Sequence, residues 1–415
     1  MATVRPFAAI RPAKHIADQM IALPYDVMNR EEASKMAGDN PYSFLHISRG
    51  EIDLSEIADP YDPQVYQHSA DTIKDWLARG ILLKDPKPML YLYRQTMDGR
   101  IQTGYVGCVS IDEYQNEIIK KHEFTRVEKE LDRIRHFDVC DANTEPVFLT
   151  YRDDDTLRAI SSEILSGSDP EVDVTTPDGI RHELWIVDSE NAISRICERF
   201  AFIPALYIAD GHHRSASAAK VGMLRRNEAP EYDGSEEFNY FMAVMFPDSD
   251  LNIFDYNRVV KDLNGMTTEE FLSRLTLDFS VEEIKTGQRR PEQKHDISMY
   301  VDGKWYKLTA KEAIQSDDAI LGLDVSILQD RILSPLLNIN DPRTDKRIDF
   351  VGGIRGLDEL ERRVEGDMAL AFALYPVGIE DLLKVADQGM VMPPKSTWFE
   401  PKLASGLFLH SLSRE

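Results

Sequence analysis

The densest group of side chains able to do chemistry is Asp210-Gly211-His212-His213-Arg214-Ser215, which follows the apolar run Tyr207-Ile208-Ala209 and precedes Ala216-Ser217-Ala218-Ala219-Lys220. An apolar run, a glycine and a string of small residues spell strand, tight turn and helix, with Gly211 free to take backbone angles closed to other residues. The turn delivers Asp210, His212, His213 and Arg214 to the amino end of a helix, where unpaired N–H groups and a partial positive charge favour an anion. With a guanidinium and two imidazoles beside it, that place suits a phosphate, and the loop is expected to bind a phosphoryl donor. Adjacent histidines point to different sides of the backbone, and no nearby cysteine or spaced third histidine supports a structural zinc site. A well hydrogen-bonded turn around a buried histidine is the bland alternative; the concentration of ionisable groups favours function.

A second polar region is Lys120-Lys121-His122-Glu123-x-Thr125. Charge runs of this kind are often solvated strand ends, yet a carboxylate beside a histidine and two lysines can also serve as a general base whose pKa those neighbours set. A helix over 127–137 would place Lys129 and Arg133 on one face at i and i+4. Leu23-Pro24-Tyr25-Asp26 could hold a carboxylate on a proline-fixed turn, and Asn257-Arg258 could add a guanidinium clamp, although turn chemistry and a surface ion pair explain each equally well. The tail Met392-Pro393-Pro394-Lys395-Ser396-Thr397-Trp398-Phe399-Glu400-Pro401-Lys402 reads as a proline-restrained loop suited to a lid or wall. Gly352-Gly353-x-x-Gly356 lacks the dinucleotide pattern and no G-x-x-x-x-G-K-[ST] occurs, which disfavours Rossmann and P-loop readings.

The elements that must position these groups alternate along the chain. Extended pieces are predicted at 7–10 and 21–27, a short helix capped by Asn29, and a helix over 65–77 that stops at Arg79-Gly80. A hairpin pairs 89–93 with 104–111, strands follow at 147–151 and 184–187, and a helix over 192–200 leads into the loop. Beyond Lys220 come strands at 241–246, 348–351 and 368–375, helices at 268–275, 325–337 and 379–386, a hairpin turning at Asp302-Gly303, and an apolar stretch at 407–410. No repeat or low-complexity linker divides the chain. The expectation is an α+β protein of mixed sheets with flanking helices, divided near residue 225 into portions 1–225 and 226–415.

At 415 residues, with 42% apolar and 29% charged residues, the chain can build more than one packed core. Its formal charge of −24, from 72 acidic against 48 basic residues, argues against general affinity for nucleic acid or anionic membranes. Any anion must be captured locally, against the global field. Cys108, Cys140 and Cys197 show no C-x-x-C spacing, so neither a disulfide framework nor a zinc ribbon is expected. The start Met1-Ala2-Thr3-Val4-Arg5-Pro6 has no signal-peptide pattern and no long apolar run follows, so a cytoplasmic location is expected.

These residues resemble the SerK-type free L-serine kinases of the ParB and sulfiredoxin superfamily. The resemblance spans nearly the whole chain and rests on Ala209-Asp210-Gly211-His212-His213-Arg214 with its small-residue helix, on Lys121-His122-Glu123-x-Thr125 followed by Asp132-Arg133, and on Met392-Pro393-Pro394-Lys395-Ser396-Thr397. It implies a ParB/sulfiredoxin-like catalytic core with a C-terminal α+β portion, and phosphorylation of free L-serine to O-phospho-L-serine. The implied donor is inorganic pyrophosphate, ATP or ADP, and no adenine pocket is legible in the residues. In that superfamily the turn equivalent to Asp210 through Arg214 holds donor phosphates at the start of a helix. By resemblance, Gly211, His212, His213, Arg214 and Ser215 bind phosphate, and Asp210 acts at Mg2+ or at the serine hydroxyl. Glu123 is the expected base, with Asp210 and His212 beside it in catalysis. His122, Thr125, Asp132, Arg133 and Lys395 are expected to hold the substrate.

The expected partners are small-molecule substrates, with a homodimer as the candidate assembly and neither nucleic acid nor membrane. One rival reading is a ParB-like nucleotide-binding switch without kinase activity; the acidic balance and the lack of a basic recognition helix oppose its DNA-binding half. A sulfiredoxin-like redox enzyme would need a reactive cysteine where this chain has histidines.

Overall fold

The computed structural model of the chain describes residues 1–57 and 59–413. The chain folds as two compact units, the first from Met1–Lys121, Thr125–Leu251 and the residues from 401 onward, the second from His122–Phe124 and Asn252–Glu400. Both are α+β, with mixed or antiparallel sheets and flanking helices.

The first unit is built on a nine-stranded mixed sheet. Its order is Ile119–Lys120, Leu206–Asp210, Val147–Tyr151, Tyr240–Pro247, Arg100–Ser110, Leu90–Met97, Arg181–Val187 and Val172–Thr175, with Val4–Arg5 on Arg100–Ser110. The predicted hairpin forms between Leu90–Met97 and Arg100–Ser110, its turn carried by Asp98 and Gly99 at φ 50 and 79. Leu206–Asp210 runs parallel to Ile119–Lys120, with Leu206 opposite Ile119 and Tyr207 opposite Lys120. The strands that lead into the two polar regions are therefore neighbours, and the chain leaves both at the same end of the sheet.

Val127–Cys140 and His212–Glu228 pack side by side on this sheet. Small residues on the second helix allow the approach: Ser217 is buried and its hydroxyl donates to the Glu130 carbonyl at 3.0 Å. Phe137, Ala216, Ala219 and Val221 close the core against Leu149, Ile208 and Ala243, and each large apolar side chain so buried contributes about 1.5–3 kcal/mol. Pro63–Ala78, with Asp62 capping it through Gln64 N, packs on Val127–Cys140. Asn29 makes a full capping box with Glu32 at the start of Arg30–Ala37.

The division of the chain falls later than residue 225, because that position lies inside His212–Glu228. Arg225 pairs there with Asp138 of the neighbouring helix and with Asp141, which caps its end. Tyr240–Pro247 then enters the middle of the sheet, parallel to Val147–Tyr151 and antiparallel to Arg100–Ser110. The tail also returns to the first unit: His410–Ser411 pairs with Ala142–Asn143, and Leu409 bridges Ile10. The extended reading of 21–27 gives way to a bridge at Ala22 and a 3₁₀ turn, Tyr25–Val27, because Pro24 holds the chain extended only up to that point.

The second unit carries a six-stranded antiparallel sheet in the order Phe279–Ile284, Lys304–Ala310, Asp296–Val301, Leu370–Leu374, Tyr256–Val260, Ile348–Gly352. Leu360 of the helix Leu357–Gly366 packs with Val259, Trp305 and Ala371. The helix expected over 325–337 is regular only in Asp324–Leu328 and widens into a π turn, Gln329–Leu333. Val325, Ile327, Leu328, Ile332, Leu333 and Leu337 are all buried, so apolar contacts on several sides outweigh ideal helical winding there. No helix of the described residues is long and apolar enough to cross a membrane.

One buried histidine makes the first unit sensitive to acid. His182 lies 2.6 Å from Tyr93 Oη and 3.2 Å from Thr176 Oγ1, and burial pushes its pKa down from 6.5 to about 4. Below 6.5 the unfolded chain takes up a proton that the folded chain refuses, so stability falls as pH drops toward 4. Between pH 7 and pH 5 the expected loss is about 2 kcal/mol. The gap between urea midpoints at those two pH values should narrow in His182→Gln, the remainder coming from His136, which burial holds well below its ordinary pKa in the same way; an equal acid loss in both proteins would contradict the assignment.

Candidate active site

Leu206–Asp210 ends in an irregularity: the register slips between Ile208 and Asp210, so that Asp210 faces Phe148. Such a bulge re-aims the residue at a strand end. Gly211 follows at φ +92, and a Cβ there would stand 3.2 Å from Arg214 Nε. Glycine is thus required twice, by the left-handed backbone and by the guanidinium folded against it. The turn is locked from within. Gly211 N donates to Asp210 Oδ1 at 2.7 Å, and Ser215 donates to the Gly211 carbonyl from its backbone N at 2.9 Å and its Oγ at 3.0 Å.

Charge is concentrated beneath the turn. Arg214 is 2% exposed; its Nη1 donates to the Pro146 carbonyl at 2.7 Å, and its Nε has no hydrogen-bond partner among the described residues. Lys402 Nζ donates to Asp210 Oδ2 at 2.8 Å. Burial acts to raise the Asp210 pKa, but Lys402 and Arg214 outweigh it and hold the carboxyl well below the usual range. Glu145 lies in the same cluster, and its Oε1 accepts from Ser405 Oγ at 2.6 Å and from Tyr25 N at 3.2 Å, while Oε2 has no partner. Burial raises the Glu145 pKa against the opposing pull of Arg214 and Arg133.

Arg133 completes the group from the helix Val127–Cys140. It is 4% exposed, sits 3.9 Å from the centre of the Tyr25 ring, and forks onto Asp132 Oδ2 at 3.0 and 2.9 Å. Tyr66 Oη donates to the other oxygen of Asp132 at 3.0 Å. Burial works against the charge of Arg133, but Asp132, Tyr25 and Glu145 more than restore it. Its Nη1 has no hydrogen-bond partner among the described residues. Buried polar atoms left unsatisfied are rare and costly, and three of them here belong to two cations and one carboxylate around Tyr25. Beside them opens a cavity of about 600 Å³ whose wall includes Tyr25, Asp26, Tyr61, Lys129, Asp132 and Arg133, a size that fits a small metabolite.

Residues 4–326 match the family model described as "Protein of unknown function (DUF1015)". The chain belongs to the DUF1015 family. No curated protein matches it. Similar solved structures include a free serine kinase in complex with AMP, at 15% identity and TM-score 0.38, covering 74% of this chain and 91% of that one. A variant free serine kinase in complex with ADP is similar at 14% identity and TM-score 0.39, covering 74% and 92%. SbnI with a C-terminal truncation, from Staphylococcus aureus, is similar at 10% identity and TM-score 0.40, covering 74% and 87%.

In this DUF1015 chain the first unit brings Asp210, Gly211 and Arg214 together with Asp132 and Arg133 through Tyr25 and Glu145. His212 is buried at the first position of its helix. His213 Nε2 accepts from Arg126 N at 3.0 Å, which ties the turn to the start of Val127–Cys140 and requires that nitrogen to be unprotonated. Two expected contacts differ. Ser215 is fully buried with its hydroxyl turned to the Gly211 carbonyl, so it locks the turn rather than reaching out to a phosphate. Thr125 Oγ1 donates to Glu130 Oε2 at 2.7 Å, and Glu130 also pairs with Lys220, so Thr125 braces the helix start rather than a substrate.

His122, Glu123 and Lys395 belong to the second unit of the DUF1015 chain. The His122 carbonyl accepts from Met392 N at 2.8 Å, and its Nε2 lies 3.4 Å from Thr397 Oγ1. Lys395 takes φ +62 and extends its ammonium to 5.5 Å from the centre of the Tyr256 ring. The tail expected to act as one loop is thus divided, with 392–400 in the second unit and Lys402 in the first. Tyr25 lies among the charges of this cluster and Asp26 on the cavity wall, whereas Glu145 and Lys402 carried no local signal beyond a lone charge beside a proline. Burial pushes all three cysteine thiols up, Cys140 to about 12, so none is poised as a thiolate.

Proposed function

We propose that this DUF1015 chain transfers a phosphoryl group to the hydroxyl of free L-serine, releasing O-phospho-L-serine. The observation that carries the reading is the pair of buried guanidiniums, Arg133 and Arg214, each with an unpartnered nitrogen, set about Tyr25 and Glu145 next to the cavity. Phosphoryl transfer asks a protein chiefly for positioning and for neutralisation of charge on the donor oxygens. A chain of net charge −24 that buries cations at one turn concentrates that neutralisation locally.

The donor is inorganic pyrophosphate, or else ATP or ADP. Its phosphates lie against Gly211, His212, His213 and Arg214, where helix amides and the guanidinium fork act together. Both oxygens of Asp210 already accept N–H groups, so Asp210 is not a bare cation site. It keeps further lone pairs for a hydrated Mg2+ carried in by the donor, and that ion would neutralise phosphate charge. Arg133 takes the serine carboxylate and Asp132 the ammonium. The serine oxygen bonds to the terminal phosphorus as the bridging P–O bond to the rest of the donor breaks, and the hydroxyl proton leaves to a carboxylate base. Glu123 is the base that the resemblance implies, and wild-type kcat in Glu123→Gln would remove it from that role.

Titration calorimetry tests the donor site. Magnesium pyrophosphate or magnesium ATP should bind in the range of about 1 μM to 1 mM and weaken at higher salt. Absence of saturable binding by pyrophosphate, ATP and ADP alike would refute the phosphate assignment.

A further inference from the structure

Arg258 stands on Tyr256–Val260, the strand next to the edge of the second unit's sheet, and is 2% exposed. Its guanidinium donates to backbone carbonyls only: Nη1 to Tyr256, and Nη2 to Lys395 at 2.9 Å and Pro394 at 3.3 Å. The Phe350 ring lies beneath it, 5.4 Å from centroid to carbon. The contrast with the other two deeply buried arginines is informative. Carboxylates surround Arg133 and Arg214 and support their charge, whereas no carboxylate among the described residues pairs with Arg258, and burial alone pulls its pKa down to about 10. It is still a cation at neutral pH, held without a counter-ion, which is a costly arrangement. Three carbonyl bonds leave Nε–H and one Nη1–H of the five donors unused.

The same guanidinium forms part of the wall of a cavity of about 310 Å³. Gln329, Leu333, Pro342, Phe350 and Pro394 line it as well. Arg343 also borders it, but that side chain forks onto Asp341 at 2.9 Å through both Nε and Nη2 and is self-neutralised. Asn340 and Asp341 line it too, so with Asp341 and Arg343 cancelling each other the net formal charge of the wall is that of Arg258. Gln329 Nε2 donates to the Ile339 carbonyl at 2.8 Å, which leaves its second amide N–H for polar discrimination. Gln329 opens the π turn, and such turns recur at functional sites. A single desolvated guanidinium with two unused N–H groups matches one planar carboxylate.

We infer that this cavity is a binding site for a small organic monocarboxylate with an apolar body, held by Arg258 and Gln329. The site lies wholly within the second unit.

The probe is 4-fluorobenzoate observed by fluorine NMR on the full chain, with 4-fluorobenzamide as its neutral counterpart. The expected result is saturable broadening by the acid, with the amide binding about tenfold or more weakly. Gln329→Phe fills the cavity from a half-buried position; it leaves the Arg258 hydrogen bonds in place, gives up the Gln329 bond to the Ile339 carbonyl, and should abolish the broadening. Arg258→Met should do the same and gives a second test if the first variant misfolds. No saturable binding of the acid, equal binding of the amide, or undiminished binding in a folded Gln329→Phe would overturn the inference. Inorganic phosphate binding there in place of every carboxylate would overturn the ligand class. None of these readouts uses phosphoryl transfer, so the proposal fails or stands separately from the kinase reading.

Discussion

Changing Arg214 to lysine lowers kcat/KM for phosphoserine formation by about a thousandfold, the loss expected when a donor aimed at developing charge is removed, while the chain stays folded. Lysine keeps the charge that Asp26, Glu145 and Asp210 face, so those carboxylates remain compensated. What it loses is the planar fork: the bond to the Pro146 carbonyl and the unpartnered Nε cannot both be reproduced by one ammonium. Alanine at the same place is a different experiment. It strips a buried cation from three carboxylates, and breaking such a pairing costs about 3–5 kcal/mol of stability, so inactivity of Arg214→Ala would mix misfolding with chemistry. Steady-state kinetics on a folded Arg214→Lys, checked by circular dichroism, decides the matter; rates near those of the parent would remove Arg214 from the phosphate site.

The second large effect falls on the acceptor. Arg133→Met raises KM for L-serine by about a hundredfold, which corresponds to about 2.7 kcal/mol of lost binding, and changes KM for the donor little. Methionine fills much of the same volume over Tyr25 but offers the serine carboxylate nothing. Asp132, buried and forked by Arg133, would lose that partner, so thermal unfolding followed by circular dichroism must show Arg133→Met folded before its KM is read. A KM for L-serine that does not move in the folded variant would transfer the carboxylate contact elsewhere.

The strand, turn and helix around Gly211 were legible because each level of the chain agrees there: an apolar run, a glycine at φ +92, then small residues that permit close helix packing. The face of Val127–Cys140 bearing Lys129 and Arg133 was legible for the same reason, since helical spacing alone puts both on the cavity wall. The remaining members of the cluster were not. Tyr25 meets Glu145 across 120 positions, Lys402 meets Asp210 across 192, and Ser405 meets Glu145 across 260. No local pattern records such pairings; each of these residues looks like an isolated charge or turn until the sheet assembles them. Ser215 misled in the opposite direction, because its place beside Arg214 suggested a ligand while helix geometry turned its hydroxyl back onto Gly211. The division near residue 225 failed on topology, as Tyr240–Pro247 must cross into the centre of the first sheet before that unit is complete.

Phosphorus NMR of the full chain with Mg2+, L-serine and, in separate tubes, pyrophosphate, ATP or ADP is the most direct measurement of phosphoryl transfer to serine. The predicted result is a phosphoserine resonance that grows at the expense of at least one donor and grows about a thousandfold more slowly with Arg214→Lys. Failure of all three donors to yield phosphoserine, under conditions where the protein is folded, would contradict it.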